Sequence, residues 1–112
     1  MDLASEMIGD RMVVTVQSAR IDAAAAIQFK DKMRVAAEGS SPKVLLDLSQ
    51  VDFIDSSGLG AIVGVMKCLA PERRLDLASL QPNVERVFRL TRMDSVFIIY
   101  PSREEALRTH AH

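Results

Sequence analysis

The sequence is short of the residues from which small active sites and covalent staples are built. One cysteine, Cys68, in 112 residues excludes an internal disulfide and any paired-cysteine metal or redox motif. The two histidines, His110 and His112, both fall in the last three positions, so a histidine-based dyad or metal site in the body of the fold has nothing to use. Tryptophan is absent and there is one tyrosine, which leaves little aromatic surface for stacking bases or sugars. Long apolar runs are missing too: Gly58 to Ala70 is thirteen residues with Lys67 inside it, against the roughly twenty of a membrane span. Nor does one sign of charge prevail. Fourteen Lys and Arg against fifteen Asp and Glu give a net charge of −1, which argues against the basic footprint of a nucleic-acid binder and against an acidic disordered tail. The opening MDLASEMIGDRMVVTV carries an acid at position 2 and no basic stretch before an apolar run, unlike a signal peptide. A soluble cytoplasmic protein is the expectation.

Hydrophobic residues make up 48%, ordinary for a globular chain, and a chain of this length buries about two-thirds of its unfolded surface. One domain over 1–112 follows. Leu3 to Ile8 and Arg11 to Gln17 read as strands joined at Gly9-Asp10, a hairpin pair. Asp22 fits as N-cap of a helix over Ala23 to Glu38, with Ala26, Phe29, Met33 and Ala36 on one face and Gly39 just past its end. Val44 to Leu48 alternates as a strand whose second face is mixed. Phe53-Ile54 follows, and Asp55-Ser56-Ser57-Gly58 reads as a turn into an apolar helix, Leu59 to Leu69, stopped by Pro71. Leu75 to Leu77 is a strand, and Pro82 opens a helix with Val84, Val87, Phe88 and Thr91 as its buried stripe. Val96 to Tyr100 is a last strand, and Ser102-x-x-Glu105 is a capping box for a short last helix. The order β-β-α-β-α-β-α-β-α implies an α/β fold: a mostly parallel sheet of about five strands with an antiparallel edge hairpin. Right-handed crossovers between adjacent strands place about four helices mainly on one face.

One segment stands out, Val51-Asp-Phe-Ile-Asp-Ser-Ser-Gly-Leu-Gly60. It lies between a strand and a helix N-terminus, where ligands and partners meet such sheets. Glycine inside a helix costs about 1 kcal/mol relative to alanine, yet Gly58, Gly60 and Gly64 crowd this one. An ordinary cap on a closely packed helix accounts for the pattern as it stands, and three functional readings compete with that. A phosphate cradle lacks GxxxxGK[ST] and any loop lysine. A serine hydrolase lacks both Gly-x-Ser-x-Gly and a histidine base. The third reading makes Ser56 or Ser57 a substrate, a hydroxyl flanked by small residues and offered to another enzyme.

Residues 46 to 60, Leu-Asp-Leu-x-x-Val-x-Phe-Ile-Asp-Ser-Ser-Gly-Leu-Gly, resemble the signature of STAS-domain anti-sigma factor antagonists of the SpoIIAA and RsbV type. The likeness extends to the strand pair, to Asp22 at the first helix and to Pro-x-Val-x-Arg-Val-Phe at 82 to 88. The resemblance implies a single STAS domain and a non-enzymatic protein without cofactor or metal, binding neither nucleic acid nor membrane, as a monomer or weak dimer. It implies that Ser56 accepts phosphate, and that Asp22, Asp55, Ser56, Ser57, Gly58, Leu59 and Gly60 form the partner-binding rim. By the same resemblance the unphosphorylated protein binds an anti-sigma factor that is also a GHKL-type serine kinase, frees the sigma factor, is released on phosphorylation, and is reset by a PP2C-type phosphatase. The alternative is a STAS module of a stressosome-like scaffold or a transport assembly without a sigma factor; a small esterase lacks a base. Many relatives have Gly-Glu-Leu-Asp or Gly-Arg-Leu-Asp before the first helix. Here Ala19-Arg20-Ile21-Asp22 keeps the Asp and loses the Gly, so a difference in partner choice is expected, and Asp22 serves as a cap, as a partner contact or as both.

Other residues have ordinary readings. Arg86, Arg89 and Arg92 recur every three positions as a solvated helix face. Asp47, Asp52 and Asp55 are scattered by strand alternation and hold no ion. Cys68 reads as a small core residue, the methionines mostly as core filling, and His110 and His112 as a frayed end.

Overall fold

The computed structural model describes residues 1–39 and 43–109; His110 and His112 lie outside them. The first two strands are β1, Asp2–Ile8, and β2, Arg11–Gln17, paired antiparallel from Asp2 opposite Gln17 to Ile8 opposite Arg11. Their turn is tight because Gly9 adopts φ 64°, open to glycine at no steric cost. A two-residue strand β3, Arg20–Ile21, leads into α1, Ala23–Ala36. Then come β4, Lys43–Asp47; β5, Phe53–Ile54; α2, Ser56–Leu69; and β6, Arg74–Ala78. The chain ends with α3, Pro82–Leu90, a 3₁₀ turn Met93–Ser95, β7, Ile99–Tyr100, and α4, Arg103–Thr109.

The main sheet runs β1-β2-β4-β6-β7, parallel except for the first pair. Sequential strands are neighbours, so each crossover helix packs on the same side. There α1 contributes Phe29 and Met33, α2 Ile62 and Val65, and α3 Val84 and Phe88, all in one buried cluster with Val14, Val44, Leu46, Leu75 and Leu77 from the strands. Phe88 meets Phe97 edge-to-face, centroids 5.9 Å apart. The period of two sends Val13, Leu45 and Ala78 to the opposite face, where Ala106 and Leu107 of α4 cover them. Three of the four helices lie on one side, in keeping with an arrangement mainly on one face; the short fourth covers the other, and β4 is more continuously buried than its sequence implied.

The α4 face also carries charge. Arg11 and Asp76 are each 1% exposed, with Nη2 of one 3.8 Å from Oδ2 of the other. Arg74 shares that oxygen at 2.9 Å. Arg103 of α4 donates to Thr15 Oγ1 at 3.0 Å and faces Asp47 Oδ2 at 3.6 Å, while Arg11 Nη1 donates to the Ala106 carbonyl at 3.4 Å. The last helix is therefore seated by arginines as much as by apolar area.

Several expectations need correction. The serines are not in a turn ahead of the second helix: α2 starts at Ser56, with Asp55 as its N-cap. The final strand is two residues, because the 3₁₀ turn takes the chain through Met93–Ser95 and Val96 and Ile98 remain exposed. Cys68 is exposed, at the groove between α1 and α2. Thr91 is exposed rather than part of α3's buried stripe. Arg86 and Arg89 are exposed on α3, whereas Arg92 lies beyond it at φ 61°. Met33 is buried and Met7 is 52% exposed; Met1, Met12, Met66 and Met93 are half-buried against the core.

Candidate functional site

The site is assembled by two strands of two residues each. β3 and β5 pair in parallel as their own two-stranded sheet, Arg20 beside Phe53 and Ile21 beside Ile54. The next residue of each strand, Asp22 and Asp55, is the N-cap of the helix that follows, with the same backbone geometry, φ −107° and ψ near −173°. Two helix entrances thus open side by side on one rim.

Each carboxylate satisfies N–H groups that a helix start leaves orphaned. Asp22 Oδ1 accepts from the Ala25 N–H at 3.1 Å. Asp55 Oδ1 accepts from the Gly58 N–H at 2.9 Å, and its Oδ2 accepts from the Ala23 N–H of the neighbouring helix at 3.2 Å. Asp55 therefore ties the heads of α1 and α2 together, a role beyond an ordinary cap. The Asp22 carboxyl lies below its usual value chiefly because the Ala25 N–H bonds its charged form; desolvation acts against this, and Arg20 adds a hydrogen bond and a positive charge.

Ser56 and Ser57 occupy the first two positions of α2 and are both exposed. Their own N–H groups have no carbonyl one turn back, and the helix macrodipole gives this end a partial positive charge. Neither α1 nor α2 has an acid in its first turn. Gly58 is buried, and a Cβ there would lie 2.0 Å from the Ile21 carbonyl oxygen; its place in the rim is close approach of backbones rather than surface contact. Leu59 is half-buried against the core. Gly60 faces open space, with nothing within 4 Å of the point where a Cβ would stand. The rim presents Ser56, Ser57 and Gly60 outward, held from behind by Asp22, Asp55 and Gly58.

Two residues of the site, Arg20 and Phe53, were not expected from sequence. Arg20 lays its guanidinium carbon 4.1 Å over the Phe53 ring, and its Nε lies 3.4 Å from Asp22 Oδ2. The signal was present in the matched lengths of Arg20-Ile21-Asp22 and Phe53-Ile54-Asp55, each an extended pair ending in a cap. Asp47 sits apart, paired with Arg103 and accepting from the Ser49 N–H, so Asp47, Asp52 and Asp55 do not converge. Among the described residues no cluster of metal-ligating side chains occurs, and no helix is long and apolar enough to cross a membrane.

Known proteins share the sequence pattern and the fold. The family described as STAS domain matches residues 3–106. BtrV of Bordetella bronchiseptica, named as a candidate anti-sigma factor antagonist, is 31% identical over 98 residues, 87% of this chain and 84% of its own. The solved anti-sigma-factor antagonist (STAS) domain protein of Planctomyces limnophilus superposes with a TM-score of 0.91 at 26% identity, covering 100% of both chains. SpoIIAA matches in its unphosphorylated form with a TM-score of 0.73 at 23% identity over 99% of this chain and 98% of its own. In its phosphorylated form, from Bacillus, it matches at 0.68 and 24% over 96% and 97%; at those identities the likeness is one of fold. A family match over residues 3–106, a relative 31% identical over most of both chains and the shared fold agree, and the chain belongs to the STAS domain family.

Proposed function

We propose that this protein is an anti-sigma factor antagonist that binds an anti-sigma factor when Ser56 carries a free hydroxyl and lets go when Ser56 is phosphorylated. The observation that carries the reading is the exposed Ser56 side chain at the first position of α2, beside a cap whose two oxygens are already committed. The names of the relatives support the general role. The partner is an anti-sigma factor with GHKL-type serine kinase activity, and a PP2C-type phosphatase restores the hydroxyl. In the kinase, Ser56 Oγ attacks the γ-phosphorus of ATP. The bond to the bridging oxygen breaks, ADP leaves, and the hydroxyl proton passes to a base of the kinase. This chain supplies the acceptor and no catalytic group.

The energetics demand little. The phosphate adds about −1.5 to −2 charges, and a hundred- to thousandfold loss of affinity is about 2.7 to 4 kcal/mol. Two like charges ~4 Å apart at an effective dielectric near 20 repel by about 4 kcal/mol. One partner carboxylate, or a tight apolar contact over Ser57 and Gly60, supplies that. Asp55 adds repulsion from the same side, while the helix N-terminus offsets part of the new charge.

The test is phosphate transfer from labelled ATP by the cognate kinase, followed by peptide mapping and binding assays. Ser56→Ala abolishes incorporation and keeps partner binding, and Ser56→Asp weakens binding at least tenfold. Label on Ser57, or label surviving Ser56→Ala, overturns the assignment.

A further inference from the structure

We propose that Arg20 is the internal receptor of the Ser56 phosphate, leaving Phe53 to bridge the modified serine and so rebuilding the partner face as the charge arrives. The inference rests on Ser56 being the phosphoacceptor. Its own support is the state in which the structure holds Arg20. The side chain is 58% exposed, and its Nε–H contact to Asp22 is long, 3.4 Å. Its two terminal nitrogens donate to no acceptor among the described residues. A guanidinium offers five donors in a planar fork that matches phosphate oxygens two at a time. Here most of that capacity is unspent.

Topology brings this cation to the right place. The β3–β5 pairing sets Arg20 beside Phe53, and three residues of chain, ~10 Å when extended, lead from Phe53 to Ser56. The Arg20 side chain already points along that direction, since its Nε reaches Asp22, two residues ahead. Asp22 and Asp55 flank the path: Ala23, next to Asp22, donates to Asp55 Oδ2 at 3.2 Å, and Ser56 follows Asp55. A phosphate on Ser56 would thus stand with two carboxylates on the rim, its second negative charge makes it the stronger attractor, and Arg20 is the cation that the pairing delivers there. Moving it unstacks Phe53, which is already 37% exposed. The unphosphorylated protein presents a cation on an aromatic ring; the phosphorylated one presents a bare ring beside an anion that Arg20 neutralises in part, leaving net negative charge on the rim. Arg20 therefore contributes to the switch as a positioning residue, and its variation retunes partner choice without touching the acceptor.

The experiment installs phosphoserine at position 56 during translation, so that no kinase is needed and a failure here is separable from a failure of Ser56 as kinase substrate. The phosphorus resonance is titrated in the wild type, Arg20→Ala and Arg20→Lys, all compared with the ordinary second phosphate pKa near 6. Arg20→Ala raises that pKa by about half a unit relative to wild type, roughly threefold in proton affinity, because Asp22 and Asp55 then face the dianion unopposed. Arg20→Lys falls between the two, keeping the charge and losing the fork. In the wild type, phosphorylation shifts the Arg20 Nε–H and the Phe53 ring resonances together. Equal pKa values in wild type and Arg20→Ala, or an Arg20 resonance unmoved by phosphate, overturn the proposal. Both variants change one exposed side chain, and their amide spectra report whether the fold is kept.

Discussion

Adding one methyl group at either of two glycines, two residues apart in the same helix, should have unequal effects: a clear loss of stability at one and none at the other. At Gly58 the new Cβ would stand 2.0 Å from the Ile21 carbonyl oxygen, 2.9 Å from its carbon and 2.9 Å from Ile54 Cγ1. Two of these are backbone atoms of β3 and cannot rotate away, so α2 and β3 must separate by about 1 Å or more to restore ordinary contact. Overpacking of this kind costs about 1–3 kcal/mol. The separation also strains the Asp55 N–H to Ile21 carbonyl bond, 3.4 Å, and the Ala23 N–H to Asp55 bond, 3.2 Å, each worth about 1 kcal/mol. Better helix propensity returns up to about 1 kcal/mol. The net loss for Gly58→Ala is about 2–3 kcal/mol, roughly 10–20 °C in Tm for a domain of this size. At Gly60 the methyl meets nothing within 4 Å, so Gly60→Ala keeps the propensity gain and is neutral to about 1 kcal/mol more stable. Urea unfolding at constant slope measures both. The reasoning is refuted if Gly58→Ala lies within about 0.5 kcal/mol of Gly60→Ala, because the entrance would then tolerate a separation that the contacts forbid.

Two further predictions concern charge. The Asp22 carboxyl sits below its ordinary value of 3.8, held there first by the Ala25 N–H. A depressed folded-state pKa stabilises the protein fully above the unfolded value and ceases to do so as pH falls through the folded one. The stability gap between wild type and Asp22→Ala should therefore be flat above about pH 5 and narrow as acid protonates Asp22; a gap that widens in acid refutes the cap. Under α4, Asp76→Leu strands the buried Arg11 guanidinium, whose Nε and Nη2 already lack hydrogen-bond partners, and should cost about 3–5 kcal/mol. Adding Arg11→Leu should recover at least half of that loss, read from a double-mutant cycle; additive losses show that the pair does not act as a unit.

What could be read from the residues follows from how local each cause is. Asp22, Pro82 and Gly9 act on their own neighbours, so two helix starts and the hairpin were visible in single positions. The alternation of Val44, Leu46, Leu75 and Leu77 marked the core face, and the order of elements gave the parallel sheet through the handedness of crossovers. Cys68 and the strand expected at 96–100 failed for one reason: an apolar residue at the end of an element obeys the packing of its neighbours, not its own pattern. Propensity does not show that α2 leaves position 68 exposed, or that the chain spends Met93–Ser95 on a 3₁₀ turn. The Arg11–Asp76 pair was equally hidden, since its partners are far apart in sequence and meet only through register.

The candidate site divides along the same line. Ser56 and Ser57 announced themselves by composition, but what makes their surroundings specific is a pairing of two dipeptides, Arg20-Ile21 and Phe53-Ile54, too short for any periodicity. Once that pairing exists, much of the site follows from it. Asp22 and Asp55 become adjacent caps, Gly58 must lack a side chain to pass the Ile21 carbonyl, and Arg20 is brought beside Phe53, over whose ring it lies in the unmodified protein. Asp55 then serves two helices with one carboxylate, so a charge placed on Ser56 acts at once on the heads of α1 and α2. Both Asp55 oxygens already hold N–H groups, whereas the terminal nitrogens of Arg20 hold no acceptor among the described residues. In the switch proposed above, such a rim would change its charge and its face without moving the sheet behind it.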